Sequence, residues 1–484
     1  MTLPTTISAC HELLIQQQEI ITAQAAMITE LTGQVKKLSA HIKKLDAHIV
    51  ELEEQVNKNS KNSNKPPASD GLAKAPAFAR KRGRRRGGKV GHKGKTLELV
   101  AKPDISLPLL PDVCTCGHSL DKTKAVIGER RQVFDLPEPK LEVTEYQKLV
   151  CRCGRCGLEV SGTFPDQVKS RVQYGSGVRS LTTLLNCGFS MPVKKIQQLF
   201  VDLFGYNINE GTIINNNASC HTLLQTTETA IKDRLLSEQV GHSDESGVRV
   251  AGKLHWLHVF SSALFTYFFV HVNRGKKALE DKVSVIPDFK GWLVHDCWSS
   301  YFSFTGCKHA LCGAHIIREL VALDEKGTTW GKWFIRYLFC VYEMVEANNG
   351  VLSKEQQAKA LELFNKTAEY ADKIEPQPIK GKRGRPKSTK GRNLLNRLIQ
   401  HQQGVLAFAF HQEVPFTNNL AERDLRPIKT KQKVSGCFRT LNGAQNHARI
   451  YAFISTARKH QLNIFQELKK VFNLKNSFVL EGAK

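Results

Sequence analysis

Two carboxylates occupy positions where an ordinary acid is seldom tolerated. Asp244 follows the run Val240-Gly241-His242-Ser243, and Asp296 ends the apolar run Trp292-Leu293-Val294-His295. Both runs read as strands. An unpaired carboxylate at the end of a buried strand is expensive. Two of them side by side would make a site for hard divalent cations, which take oxygen ligands. Taken singly, each is equally well a loop acid or a helix cap. A third acid stands in PFTNNLAERDLRPIKTK, residues 415–431. Asn418 or Asn419 can cap a short helix there. Glu422 would then lie in the first turn, with Lys429 on the same face two turns later, although Pro427 weakens the assumption of a straight helix. The plain alternative pairs Glu422 with Arg426 on a solvated face. Spacing alone does not choose between Glu422 and Asp424.

A second chemistry is carried by cysteine. Cys114-Thr-Cys116-Gly-His118 stands opposite Cys151-Arg-Cys153-Gly-Arg-Cys156-Gly. The Cys153–Cys156 spacing is the firm half; the Cys114–Cys116 spacing is tighter than usual. Glycine after cysteine suits a metal-binding knuckle. Cys114, Cys116, Cys153 and Cys156 are the expected ligands of a structural Zn2+, with Cys151 and His118 in reserve and the fourth ligand open. Buried free thiols are the plain alternative. CKHALCGAH, residues 307–315, offers Cys307, His309, Cys312 and His315, and by itself also looks like a compact zinc knuckle.

The third chemistry is charge. Seventy Lys and Arg against forty-five Asp and Glu give a formal +25, which implies a polyanionic partner. The run ARKRGRRRGGKVGHKGK, residues 79–95, holds nine basic residues and no acid. Such a run cannot fold alone; Arg82, Arg84, Arg85 and Arg86 are expected to bind DNA phosphates without reading sequence. A nuclear-import or solubilising run is the alternative. A second island, residues 380–392, centres on Arg383-Gly384-Arg385-Pro386. It is either a minor-groove hook or a charged loop.

The elements holding these groups follow from pattern and punctuation. Residues 28–56 carry a strict heptad, with Ile28, Val35, Ile42, Ile49 and Val56 at a and Leu31, Leu38, Leu45 and Leu52 at d. That narrow stripe predicts a coiled coil over 1–57, and β-branched a with Leu at d favours a parallel dimer. Asn, Ser, Pro and Gly then open a basic disordered linker, 58–100. A zinc-binding domain is expected at 101–165. Residues 166–235 read as helix, short turn, helix, compatible with a helix-turn-helix DNA-binding region. A strand-rich core occupies 236–315, a helical insertion 316–404, the second part of the core 405–460 and a tail 461–484. Residues 254–272 lack Lys, Arg, Asp and Glu and are long enough to span a bilayer. His255, His258, Ser261, Ser262, Thr266 and His271 interrupt them, so a hairpin of buried strands is expected and no membrane partner. Apolar residues at 41% and charged at 24% exclude global disorder. No secretory pattern opens residues 1–30, so a reducing cytosol is expected.

Several motifs, in order across nearly the whole chain, carry a resemblance. They are NSKNSNKPPASDG after the coil, RQVFDLPEP at 131–139, DESG at 244–247, HDCWSSY at 295–301, CGAHIIREL at 312–320, NNLAERDLRP at 418–427, GCFRT and ARIYAFISTARK. Together they resemble the bacterial insertion sequence 66 family of DDE transposases. The resemblance implies a multidomain α+β protein: N-terminal coiled coil, zinc-binding domain, helical DNA-binding region, and an RNase H-like α/β catalytic core interrupted by a helical insertion. It implies Asp244, Asp296 and Glu422 as the catalytic triad and as ligands of Mg2+ or Mn2+. Lys429 and Arg426 would hold the terminal phosphate. It further implies His315 in the catalytic set and Arg318 beside DNA, in place of a second zinc knuckle. Ser246 stands where the family usually has Thr, and His295 where it usually has another residue; neither removes a ligand.

The function implied is that of a transposase of a bacterial insertion sequence. It would bind terminal inverted repeats and catalyse metal-dependent cleavage and strand transfer on transposon ends and target DNA. Expected partners are a second copy through the coil and element-encoded accessory proteins, at the nucleoid in the cytoplasm. The alternative is a DNA-binding regulatory or architectural protein with an inactive transposase fold. A zinc hydrolase is disfavoured, because it would need an open zinc position and the first cluster is thiolate-rich. A peptide of residues 20–58 is expected to gain helicity with concentration in circular dichroism; helicity indifferent to dilution would exclude the coil.

Overall fold

A computed structural model describes residues 6–59, 62–63, 97–378, 386, 388–475 and 478. Helix α1, Ile7–Val56, contains no proline and one glycine, Gly33. It is followed by a small antiparallel ribbon, β1 (Val150–Arg152) and β2 (Glu159–Ser161). Helices α2 (Ser176–Thr183), α3 (Val193–Phe204), α4 (Glu210–Leu223) and α5 (Gln225–Leu236) come next. Then follow β3 (Val240–Val250), β4 (Lys253–Ser261), β5 (Thr266–His271), the short α6 (Lys276–Leu279), β6 (Trp292–His295) and β7 (Lys308–Leu311). The remainder is helical: α7 (Gly313–Asp324), α8 (Thr329–Ala347), α9 (Lys354–Ile374), α10 (Lys390–Gln400), α11 (Gln402–Phe410), α12 (Asn419–Ser435), α13 (Leu441–Lys459) and α14 (Ile464–Phe472).

The described residues form two units. The first draws on Met1–Pro76 and Gly313–Gln402, the second on Ala77–Cys312 and Gln403–Lys484. In the first, α1 exposes every side chain described along it, including the whole a and d stripe from Ile28 to Val56. The helix carries the stripe back through Ile21, Leu14 and Ile7 at a, while Gln24, Gln17 and Cys10 occupy d. Helices α7 to α10 pack in sequence about Trp330, Phe334 and Phe364. A Ser353–Gln356 capping box starts α9. Buried Arg392 of α10 is ion-paired with Asp372 of α9, and Arg397 grips Glu319 of α7 at 2.6 Å. Helix α7, which begins at Gly313, packs with α8.

The second unit is built on a five-stranded sheet, β5-β4-β3-β6-β7. Strand β4 is antiparallel to both β3 and β5; β6 and β7 run parallel to β3. The charge-free stretch 254–272 is the β4–β5 hairpin, and none of the described helices is long and apolar enough to cross a membrane. In that hairpin His258 stacks on Phe269, and Thr266 donates to Asp424. Alternation along each strand, with period two, sends side chains to two faces. Val248, Val250, Leu257, Val259 and Phe268 pack on α12 and α13. Phe260, Tyr267, Phe269 and Leu293 pack on the other side, with Ile231 and Leu235 of α5.

Helices α2, α3 and α4 close on Ile196, Phe200, Ile208 and Ile213, and α4 is capped by Asn209. This group joins the sheet layer through Cys187, Cys220, Ile450, Phe453 and the α14 residues Leu468, Val471 and Phe472. Residues 461–484, expected as a tail, thus contain a packed amphipathic helix.

Gly291 lies where the chain enters β6. A Cβ there would stand 2.4 Å from the Gln239 carbonyl oxygen and 2.8 Å from that of Glu238. Gly291→Ala is expected to lower stability by about 1–3 kcal/mol, the usual penalty of overpacking. Gly175→Ala, where nothing lies within 4 Å, serves as the neutral control. Equal urea midpoints for the two variants would contradict this account of the β6 entrance.

Candidate active site

Strand register brings the first two carboxylates together. Val240 pairs with Trp292, Gly241 with Leu293 and His242 with Val294; the same offset carried two residues on sets Asp244 level with Asp296. Val248 and Val250 face α12 and α13, so Asp244, an even number of residues earlier, points to that face. Glu422 stands in the first turn of α12. Burial pushes the Asp244 carboxyl well above the usual carboxylate range, and the charges of Glu245, Asp296 and Glu422 push the same way. The charges of Asp296 and Glu422 thus both reach Asp244.

Glu422 and Asp424 differ in their surroundings. Asp424 is buried, with Lys459 of α13 at 2.8 Å and the Thr266 hydroxyl at 3.1 Å. The Glu422 charge bears on Asp244. The helix continues through Pro427, and Lys429 donates to the Gly247 carbonyl at 3.1 Å. Although Lys429 reaches solvent, desolvation against the strand lowers its pKa, and the Asp244 charge opposes that. Arg426 is exposed on the same helix.

Asp296 is held by its own turn. Trp298 N–H donates to Asp296 Oδ1 at 3.0 Å. Between them Cys297 adopts φ 71°, a left-handed conformation costing a non-glycine residue roughly 1–2 kcal/mol. His295 steadies the strand end. Its Nδ1 accepts from Cys297 N–H at 3.2 Å, so its Nε2 carries the proton shared with His309 Nδ1 at 3.1 Å. His309 Nε2 in turn donates to the Phe304 carbonyl at 3.0 Å. The unusual residue before the second acid thus has a structural partner set.

Sequence reasoning missed a fourth acid. Glu245 follows Asp244 and so points to the opposite face, where it is buried. Arg274 reaches its Oε1 from Nη2 at 2.7 Å and from Nε at 2.8 Å, and the Tyr301 hydroxyl donates to Oε2 at 2.7 Å. The Arg274 guanidinium lies over the Trp256 and Trp298 rings at 4.9 and 4.4 Å. The only sequence signal was the Asp-Glu pair itself; its partners lie 29 and 56 residues away.

Residues 171–446, more than half of the chain, match the model of the family described as Transposase IS66 family. The chain belongs to this family. It is therefore a DNA transposase. Residues 111–157 of this IS66-family transposase match the zinc-finger binding domain of transposase IS66, and residues 12–98 match a family of unknown function, DUF6444. Comparison with curated proteins finds no match.

The zinc-finger match supports a structural zinc in this transposase, and the local backbone suits one. Cys116 and Cys156 each precede a glycine with positive φ, Gly117 at 85° and Gly157 at 70°. Gly117 N–H donates to the Cys114 carbonyl and Gly157 N–H to the Cys153 carbonyl. Hydrogen bonds from Cys116 lower the Cys114 thiol pKa, and those from Cys156 and Arg155 lower that of Cys153; both shifts favour thiolate. Among the described residues, no three ligand atoms of this segment lie within 4.8 Å of one another. The two turns are formed locally. Of the other expected site residues, His315 and Arg318 lie on α7 in the first unit, 3.4 Å apart. Arg82, Arg84, Arg85, Arg86, Arg383 and Arg385 lie outside the described residues.

In metal-free IS66-family transposase, Asp296→Asn removes one like charge from Asp244, so the Asp244 pKa is expected to fall. Carbon-13 carboxyl titration of aspartate-labelled protein reads this directly. An unchanged Asp244 curve would show that the two acids do not share a site.

Proposed function

We propose that this transposase cuts and joins DNA by two-metal phosphoryl transfer on an RNase H-like core, with Asp244, Asp296 and Glu422 as the metal ligands. The observation that carries the reading is the placement of Asp244 and Asp296 at one level of neighbouring parallel strands, with Glu422 acting on Asp244 from α12. The sheet order, with three antiparallel strands followed by two parallel ones, supports the core assignment.

The donor set fits hard cations, which prefer carboxylate oxygen. Bound Mg2+ or Mn2+ would supply activation of the attacking water or 3′-hydroxyl and stabilisation of the leaving oxygen. Lys429, tethered to Gly247 beside Asp244, binds a non-bridging oxygen of the terminal phosphate. Arg426, one turn earlier and exposed, binds the next phosphate. Arg274 and Tyr301 hold Glu245 on the opposite face, so its charge is answered there and β3 is fixed beneath Asp244.

The same proposal gives the other parts their roles. The α3–turn–α4 pair reads the transposon ends, and the arginine-rich runs hold phosphates without reading sequence. Cys114, Cys116, Cys153 and Cys156 bind the structural zinc. The exposed stripe of α1 pairs with a second copy of the chain.

The test uses labelled duplexes carrying the inverted repeats that flank the gene, incubated with Mg2+ or Mn2+. Wild type is expected to expose a 3′-hydroxyl and then join strands. Asp296→Asn is expected to bind the same duplexes and leave them whole. Cleavage by that variant would remove the proposed triad, and wild-type binding without cleavage, even with the neighbouring gene products added, would favour a regulator.

A further inference from the structure

We infer that Asn418 is a positioning residue that sets the separation of Asp244 and Glu422, and with it the affinity of the carboxylate site for a divalent cation. The inference rests on the proposed role of those two acids as metal ligands.

An asparagine ahead of a helix ordinarily turns its side chain onto the N–H groups of the first turn. Asn418 holds the N-cap of α12 and makes no such bond. Its side chain is completely buried and crosses to β3. There Nδ2 donates to the Ser243 carbonyl at 2.8 Å, and Oδ1 meets His242 Nδ1 at 2.9 Å. The carbonyl only accepts, so the amide orientation is decided, and the proton on His242 lies on Nδ1. Ser243 immediately precedes Asp244. The main-chain carbonyl of Asn418 accepts from Glu422 N–H at 3.3 Å. One residue therefore spans both acids: its carboxamide holds the backbone beside Asp244, and its carbonyl holds the backbone of Glu422. Its own N–H points to Cys312 Sγ at 3.2 Å, just past β7, which ties the start of α12 to a further strand.

The chemistry requires asparagine. Aspartate has the same size and still accepts from His242, but it sets a carboxylate oxygen against the Ser243 carbonyl. Serine is neutral and too short to reach both partners. Glutamine adds a methylene where no free space exists.

The full-length chain is tested as Asn418→Asp and Asn418→Ser. Circular dichroism and melting report folding, titration calorimetry with Mn2+ reports metal affinity, and cleavage kinetics report kcat and KM for the DNA end. The expected result for a folded variant is at least a tenfold rise in the Mn2+ dissociation constant. kcat should fall at a fixed Mn2+ concentration and recover as Mn2+ is raised, with KM for DNA unchanged. Asp296→Asn is the reference for binding at the carboxylates. If it loses Mn2+ binding while both folded Asn418 variants keep wild-type affinity, the inference fails and the site reading stands. If Asp296→Asn binds Mn2+ like wild type, the site reading fails and carries the inference with it. Unfolding of both Asn418 variants would also overturn it, by making Asn418 a residue of folding rather than of positioning.

Discussion

Like charges close together repel most where water is excluded, and the charges of Glu245, Asp296 and Glu422 all bear on Asp244. Burial and mutual repulsion together drive the Asp244 carboxyl upward. The surrounding structure divides the charges rather than removing them. The two-residue period of β3 sends Glu245 to one face and Asp244 to the other. On the first face Arg274 and Tyr301 answer Glu245. Asp424, two residues from Glu422, is answered by Lys459. The charges of Asp296 and Glu422 bear on Asp244, Lys429 is exposed on α12, and the proposed cation site draws on that concentration of charge.

The sheet can hold such a site because both of its faces are covered by apolar contact. Helices α12 and α13 close one face, and α5 with the Phe289 and Tyr301 cluster closes the other. The strained backbone at Cys297 and the His295–His309 pair belong to the same scheme. They spend local conformational freedom to hold the end of β6 in one place. Fixed backbone is what allows carboxylate positions to be set by neighbours several strands away.

Two other parts of the chain are incomplete by themselves. Along α1 the apolar stripe from Ile28 to Val56 is exposed among the described residues. The segment around β1 and β2 leaves Val150, Leu158 and Val160 exposed and has no core of its own. Small segments of that kind depend on metal bonds for their stability, which agrees with the zinc-finger match.

Much of this was legible along the chain, because local periodicity and punctuation determine what an element is. The heptad identified α1, the split of residues 254–272 around Ser261 and Ser262 identified a hairpin, and the apolar run before Asp296 marked β6; Asp244, expected at a strand end, lies instead within β3, which runs on to Val250. Cysteine spacing marked the zinc segment. Other matters were decided only in three dimensions. Glu422 and Asp424 occupy the same turn of one helix, and contacts with Lys459 and Thr266, remote in sequence, separate them. Asn418 reads as an ordinary cap until its side chain is seen to cross to β3. Glu245 reads as a neighbour of Asp244 until alternation turns it to the opposite face. The α14 segment reads as a tail until Leu468 and Phe472 find α13. Sequence determines secondary structure through contacts a few residues long; which acidic charge is paired, and with which partner, depends on contacts that only the folded chain brings together.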